Sequence, residues 1–315
     1  MKQKKILSID GGGIRGIYPA SVLAEIEKDL PEPLHKYFDL IAGTSTGGII
    51  ALGIGLGFRA AQIVDFYEEY GPEIFGGNWL LKLYRHAFKI KYAQENLEKA
   101  VKETFGNRLI GESKTRLVIP SMNIQTGEVH IYKTCHREDF ERDYHRPAYE
   151  AALATSSAIT YFPNYINSTN DILTDGGLWA NNPVLVSLMD AVGILNWNKN
   201  DIKVLSLGCI EKPFDKKLYK QKGGLRFLFS SSTEVFMEMQ STSALSASYT
   251  LLGHKEKVNE RVFRINEYGN YKLDSIKELP AMKIQGIKKA AEVKSKVIPE
   301  FFSYMAEPFV PFKSV

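Results

Sequence analysis

Short apolar runs alternate with longer stretches of helical periodicity along the first two thirds of the chain. Runs that predict strands lie at residues 5–9, 38–42, 117–120, 129–132 and 202–207. Apolar residues at helical spacing predict helices after residue 16 and at 48–57, 94–105 and 183–195. Because strands that alternate with helices typically form a parallel sheet with helices on both faces, we predict an α/β fold with a mostly parallel central sheet.

The pattern predicts one domain. The chain has 315 residues and is 44% hydrophobic, enough for one large core, and it contains no low-complexity linker or internal repeat. We therefore predict a single domain over residues 1–315. Its motif-bearing core spans about 4–210, and the part from about 212 to 315 is predicted to add helices to that core.

A glycine-flanked serine lies between the second predicted strand and the helix that follows it. Gly43-Thr44-Ser45-Thr46-Gly47 has the Gly-x-Ser-x-Gly spacing of a nucleophile elbow. Such a turn brings strand and helix so close that Gly43 and Gly47 leave room only for hydrogen, while the helix N-terminus faces the site. An ordinary turn is the alternative, but the strand-then-helix context favours a nucleophilic Ser45.

A second glycine-rich turn follows the first predicted strand. Asp10-Gly11-Gly12-Gly13-Ile14-Arg15-Gly16 places bare N–H groups at a helix N-terminus, where they favour an anion. The anion is either the oxyanion of an ester-cleaving reaction or the pyrophosphate of a dinucleotide, since the run also satisfies G-x-G-x-x-G. Asp29 and Glu32 follow the glycine run at the sequence separation expected of a ribose-binding acid, but they do not end a predicted strand.

Ser45 needs a base, and the sequence offers two candidates. His254 has the chain order of a serine–acid–histidine triad but lies in a polar context. Asp175 opens the tight turn Asp175-Gly176-Gly177, which by itself indicates only a turn.

Together these motifs resemble the patatin-like phospholipases. The resemblance covers about residues 4–210. It rests on the Asp10–Gly16 loop, the Gly43–Gly47 turn, Asp175-Gly176-Gly177 with Asn182-Pro183, and the stretch 154–163, which departs from the family at Ile159, where proline is frequent.

The resemblance implies a lipid acyl hydrolase with a Ser–Asp dyad. Ser45 is then the nucleophile and Asp175 the base, the Gly11, Gly12 and Gly13 amides form the oxyanion hole, and Arg15 braces that loop or contacts lipid phosphate. Because a free aspartate is a weak base, we expect Asp175 to be partly buried and to point at Ser45. No cofactor is expected, and calcium independence is expected because the chain lacks a calcium-loop motif.

Charge and composition bear on partners and location. A net charge of +4 is too mild to indicate a nucleic-acid polymer as partner. With two cysteines, no signal-peptide core and no apolar run of eighteen residues, we expect a cytoplasmic protein that acts on phospholipids at the inner face of the membrane.

Two segments are candidates for contacts with partners. Residues 76–92 combine basic and aromatic side chains, which suits a membrane contact or a lid over the cleft. Residues 227–252 mix large apolar and small residues, as in a packed helix, an interface of a homo-oligomer or an effector site.

Regulation is the last expectation. Compact enzymes similar to this one act in bacterial anti-phage defence, where a cyclic nucleotide switches on phospholipid degradation, so a cyclic dinucleotide activator is expected here. The alternatives are a constitutive lipid-turnover esterase, a nucleotide-dependent oxidoreductase that uses Gly11–Gly16 as a phosphate loop, and a non-catalytic binding module.

Overall fold

The computed structural model describes residues 3–76, 90–212, 232–253 and 261–315. Its strands are β1 (Lys4–Ile9), β2 (Leu40–Gly43), β3 (Arg116–Asn123), β4 (Glu128–Lys133), β5 (Tyr165–Ile166), β6 (Ile172–Asp175), β7 (Ile202–Leu207) and β8 (Val262–Ile265). Its α-helices are α1 (Ile17–Glu27), α2 (Thr46–Gly55), α3 (Ala60–Phe75), α4 (Gln94–Phe105), α5 (Ala148–Ser156), α6 (Gly177–Ala180), α7 (Val184–Met189), α8 (Ser232–Leu251) and α9 (Leu279–Val297). All five strands predicted from the sequence are present.

The strands form one mixed sheet in the order β5-β6-β3-β2-β1-β7-β8, and β4 pairs with β3. The centre is parallel, since β1 pairs in parallel with β2 and β7, β2 with β3, and β7 with β8. Only β4, β5 and β6 pair antiparallel, at one side. The prediction of a mostly parallel sheet is confirmed.

The C-terminal part differs from the expectation of helices added to a finished core. β8 extends the sheet in register with β7, with Val204 beside Val262. Helix α9 lies against α1 so closely that a Cβ on Gly286 would stand 2.6 Å from the Tyr18 carbonyl oxygen. A strand whose only partner lies about sixty residues earlier gives little local signal, which is why β8 was missed.

Side chains alternate between two apolar layers on the faces of the sheet. In β1, Leu7 and Ile9 join the large core under α1 to α5 and α9, whereas Ile6 joins the smaller core under α7 and α8. Both layers exclude water, so the backbone groups at the carboxyl ends of β1, β2 and β6 are fixed by packing from two sides. No helix in the described ranges is both long and apolar enough to cross a membrane.

Candidate active site

Ser45 stands in a sharp turn between β2 and α2. Its backbone has φ 55° and ψ −125°, a region that side-chain-bearing residues rarely adopt. A Cβ on Gly43 would lie 2.0 Å from the Gly47 carbonyl oxygen, and one on Gly47 would lie 2.3 Å from that of Ile9. The predicted strand–turn–helix geometry is therefore present, and only glycine fits on either side of the serine.

Thr155, at the end of α5, holds the strained serine in place. The Ser45 N–H donates to Thr155 Oγ1 at 2.9 Å, and that hydroxyl donates to the Pro120 carbonyl at 2.6 Å. Thr155 lies in the stretch that resembles the family, but nothing local in the sequence indicated this contact, because the two residues are 110 positions apart.

Asp175 ends β6 and is buried beside the serine. Its carboxylate lies beside the Ser45 side chain and accepts a hydrogen bond from the Gly177 N–H at 2.7 Å. Burial raises the pKa of Asp175 to about 7, and the interactions with Ser45 and the Gly177 N–H oppose the rise. The carboxylate is therefore desolvated and directed at Ser45, as expected, and it is partly ionised at neutral pH.

The glycine loop after β1 contributes two backbone amides to the cavity that contains Ser45, those of Gly12 and Gly13. No described residue accepts a hydrogen bond from the N–H of Gly12 or Gly13, and both residues line the cavity that contains Ser45. The Gly11 N–H, in contrast, donates to the Asn181 carbonyl at 2.9 Å. The expectation that Gly11 contributes an oxyanion donor is therefore wrong, because its amide is already bonded.

The Thr46 N–H is a further candidate donor that sequence analysis missed. It belongs to the residue after the serine, lines the cavity, and has no acceptor among the described residues. In nucleophile elbows this position commonly supplies an oxyanion donor. Gly16 keeps the region compact, since a Cβ there would lie 2.1 Å from the Thr46 hydroxyl.

Two arginines brace the glycine loop. Arg15 is buried and donates to the carbonyls of Gly12 at 3.3 Å and Ile210 at 2.9 Å. Of its two expected roles, the structure supports bracing, because Arg15 borders a small separate cavity and not the one at Ser45. Arg264 on β8 donates to both carboxylate oxygens of Asp10, at 2.6 and 3.0 Å.

The segment after β8 completes the loop. The Ile14 N–H donates to the Leu273 carbonyl at 2.9 Å, and a Cβ on Gly13 would lie 2.3 Å from that same oxygen. Gly13 also has φ 57°, which glycine adopts without strain. The conformation of the loop thus depends on a residue more than 250 positions away, which local sequence signals cannot reveal.

A cavity of about 310 Å³ opens at Ser45. Its wall is mostly apolar, with Ile14, Ile49, Phe66, Ile74, Phe75, Leu97, Ile159, Phe162, Leu178, Phe236, Met237 and Leu273 among the lining residues. Asp175 is the one charged side chain among the described residues that line it. Two buried atoms in this wall, Ser156 Oγ and Asn181 Oδ1, have no hydrogen-bond partner within the described ranges. The cavity suits an acyl chain with a few polar atoms near the reacting bond.

The geometry does not support a dinucleotide site. A ribose-binding acid would follow β2, but the end of β2 leads into the serine turn, and Asp29 and Glu32 precede that strand. Of the histidines in the described ranges, none lines the cavity. The alternative base His254 lies outside the described residues, as do residues 77–89 of the predicted lid or membrane segment. The described residues contain no group of three metal-ligating side chains.

Comparison with known proteins identifies the family of the chain. The family model described as patatin-like phospholipase matches residues 7–188. A "cGAMP-activated phospholipase" of Pseudomonas aeruginosa is 34% identical, over 79% of this chain and 78% of its own length. A protein of the same name from Vibrio cholerae is 34% identical, over 67% of this chain and 66% of its own length. A "cUMP-AMP-activated phospholipase" of Escherichia coli is 35% identical, over 65% of this chain and 64% of its own length.

The family match contains the glycine loop, the serine turn and Asp175 in one continuous region. It covers more than half of the chain, and the first relative is similar over most of both proteins. This chain therefore belongs to the patatin-like phospholipase family, whose members are lipid acyl hydrolases.

Proposed function

We propose that the protein cleaves fatty-acyl esters of membrane phospholipids with Ser45 as nucleophile and Asp175 as base. The observation that carries this proposal is the buried Asp175 carboxylate beside Ser45, which stands at a strained turn in the same apolar cavity. A raised pKa makes Asp175 a stronger base than an exposed aspartate would be.

The first half of the reaction acylates the serine. The Asp175 carboxylate accepts the Ser45 proton while Oγ forms a bond to the ester carbonyl carbon, and the carbonyl electron pair moves to the oxygen. The N–H groups of Gly12 and Gly13 stabilise that oxyanion, joined by the Thr46 N–H. Removal of one such donor typically costs about 10²–10³ in rate. Asp175 then returns the proton to the departing alcohol of the lysophospholipid.

The second half releases the fatty acid. Asp175 accepts a proton from a water molecule, whose oxygen attacks the acyl carbon, and the bond to Ser45 Oγ breaks as Oγ takes the proton back. The same amides serve both tetrahedral intermediates, so a fixed loop is advantageous. Arg15, Arg264 and Leu273 supply that rigidity through the contacts described above.

Activation by a cyclic dinucleotide is part of the proposal. It is supported by the names of relatives that are 34–35% identical to this chain over the aligned residues and are called cGAMP-activated or cUMP-AMP-activated. A phospholipase without such control would endanger the membrane of its own cell. We place the protein in the cytoplasm, at the inner face of that membrane, as an effector of anti-phage defence.

The test is fatty-acid release from liposomes of bacterial lipids, with and without a panel of cyclic di- and trinucleotides. Wild type should release fatty acid, and Ser45→Ala and Asp175→Asn should not. Exposed residues of the same types provide matched controls, Ser303→Ala and Asp139→Asn, which should retain wild-type rates.

The outcomes separate the parts of the proposal. Release that needs one nucleotide supports the defence role, whereas equal release without any nucleotide indicates a constitutive lipid-turnover esterase. If folded wild type releases nothing under every condition, a binding module replaces the hydrolase. Unchanged activity of Asp175→Asn would remove Asp175 as the base.

A further inference from the structure

The mouth of the catalytic cavity carries three large apolar side chains that are half exposed. Ile159, Leu178 and Phe236 are 47%, 45% and 50% exposed, and each also lines the cavity at Ser45. They come from three separate elements, the loop after α5, helix α6 and helix α8. We call these three residues the apolar rim.

The apolar surface continues from the rim along α8. Met239 follows Phe236 by three positions, so the two lie on neighbouring turns of the same helix face. Met239 is 61% exposed, and it lines an outer groove of about 1100 Å³ together with Leu185, Met189, Val235 and Leu251. The face therefore presents one contiguous apolar patch beside the cavity entrance, whereas scattered single apolar residues on a surface are normal.

The size of the cavity indicates what this patch contacts. At about 310 Å³ it lies at the small end of ligand pockets, so it accommodates only part of a lipid with two acyl chains. The remainder of the lipid must stay in the bilayer while the ester reaches Ser45. The protein around the entrance then has to rest on the membrane, and apolar side chains there are buried in the acyl–headgroup boundary.

We propose that the apolar rim, extended by Met239, is the surface through which this protein docks onto the lipid bilayer. The proposal rests on the proposed function, because it assumes that the cavity takes its substrate from a membrane. It differs from an electrostatic contact, since the driving force is burial of apolar area and needs no anionic lipid.

A second copy of the chain is the competing occupant. Ser243, Ser246 and Ala247 line the outer groove and would let another helix come close. A partner that covered the rim, however, would close the entrance through which the lipid reaches Ser45. The position of the rim at that entrance therefore favours the bilayer.

The test measures binding rather than catalysis, in the Ser45→Ala background. Flotation with phosphatidylcholine vesicles measures binding, with and without cyclic dinucleotide. Three proteins are compared: Ser45→Ala alone, Ser45→Ala with Leu178→Ser/Phe236→Ser, and Ser45→Ala with Met239→Ser. The control is Ile284→Ser/Val310→Ser, two residues that are also exposed but lie away from the rim. Thermal unfolding verifies that each variant is folded.

We expect the Leu178/Phe236 pair to weaken vesicle binding at least about tenfold, from the apolar area that it removes from the interface. Met239→Ser should weaken it severalfold, and the control pair should change it less than twofold. Raising the salt concentration to about 0.5 M should leave binding intact, because an apolar contact is not screened. Failure of the Ser45→Ala parent to bind vesicles under either condition overturns the proposal.

Two further measurements exclude the alternatives. With Ser45 restored, Met239→Ser should hydrolyse a dissolved short-chain ester at the wild-type rate but release less fatty acid from vesicles. Equal losses on both substrates would contradict docking. Unchanged vesicle binding, with a parent dimer that Met239→Ser converts to monomer in sedimentation, would assign the patch to a second copy. If no substrate is cleaved while the rim still binds vesicles, the proposed hydrolase fails but the docking surface stands.

Discussion

Two buried aspartates stand at the carboxyl ends of β1 and β6 in the same sheet, and among the described residues only one of them has a cation beside it. Asp10, after β1, receives two hydrogen bonds from the Arg264 guanidinium. Asp175, at the end of β6, has no cation beside it among the described residues, lies beside Ser45 and accepts a hydrogen bond from the Gly177 N–H. Burial raises the pKa of Asp10 to about 6, a rise that Arg264 opposes, and that of Asp175 to about 7.

The difference separates a structural carboxylate from a reactive one. An arginine partner keeps Asp10 ionised and fixes it, which suits a residue that anchors the glycine loop. A cation beside Asp175 would stabilise its charged form and make it a weaker base. Variants that remove or unmask charge at either carboxylate test this contrast.

Asp175→Asn should abolish activity and stabilise the fold. Loss of the base lowers the rate by about 10²–10⁴. The folded-state pKa of about 7 lies above the group's ordinary value of 3.8, so ionised Asp175 destabilises the protein fully above pH 7 and not at all below pH 3.8. Neutral asparagine should raise the free energy of unfolding by up to about 4 kcal/mol at alkaline pH. Urea unfolding of both proteins measures the gain.

The pH dependence of that gain is its internal control. It should shrink as the pH falls and disappear near pH 4, where the wild-type carboxyl is protonated in both states. A gain that is constant with pH would mean that packing, and not charge, is responsible.

Arg264→Met should destabilise the protein by about 3–5 kcal/mol, because it leaves the Asp10 carboxylate buried without its cation. The midpoint of urea unfolding reports the loss. The double variant Asp10→Asn/Arg264→Met removes both charges and should regain part of the stability. If the double variant is as unstable as the sum of both single variants, the two residues are not coupled.

Activity should rise with pH through a single ionisation near 7. Asp175 acts as a base only when it is ionised, so below its pKa kcat/KM on a dissolved ester should fall about tenfold per pH unit. A profile from about pH 5 to about pH 9 measures this. If Asp10→Asn shifts the midpoint, the titrating group is Asp10 and the contrast drawn above is wrong.

Ser156→Ala should have the smallest effect. The Ser156 hydroxyl is buried without a partner within the described ranges, and Ser156 lines the cavity, so a rotation of its side chain would let it donate to the glycerol or ester oxygens of a bound lipid. Loss of one such hydrogen bond costs about 0.5–1.5 kcal/mol, a two- to tenfold decrease in kcat/KM. Ser157→Ala is the matched control. The Ser157 hydroxyl already donates to the Leu153 carbonyl, so its removal should change the stability of the protein and leave kcat/KM unchanged. An unchanged kcat/KM in Ser156→Ala would exclude the contact.

Sequence was sufficient where the chemistry is local. The serine turn, the Asp175 turn and the parallel strands β1, β2, β3 and β7 each have local signals, and all of these were predicted. Arg264, Thr155 and Leu273 reach the site from distant elements, and no local pattern identifies them. The role of Gly11 was mispredicted for the same reason, since its amide is occupied by Asn181, 170 positions later.

The contact of Leu273 with the glycine loop shows that the region by which the family is recognised is shorter than the region that must fold to build the site. The unit of recognition, residues 7–188, contains both members of the proposed dyad. The unit of folding is longer, because β8 and the Leu273 carbonyl shape the loop that receives the oxyanion. A protein that kept the motifs alone would therefore have a nucleophile and a base but no rigid loop to stabilise the oxyanion of the transition state. In such proteins the later part of the chain is a component of the catalyst, even where sequence similarity has faded.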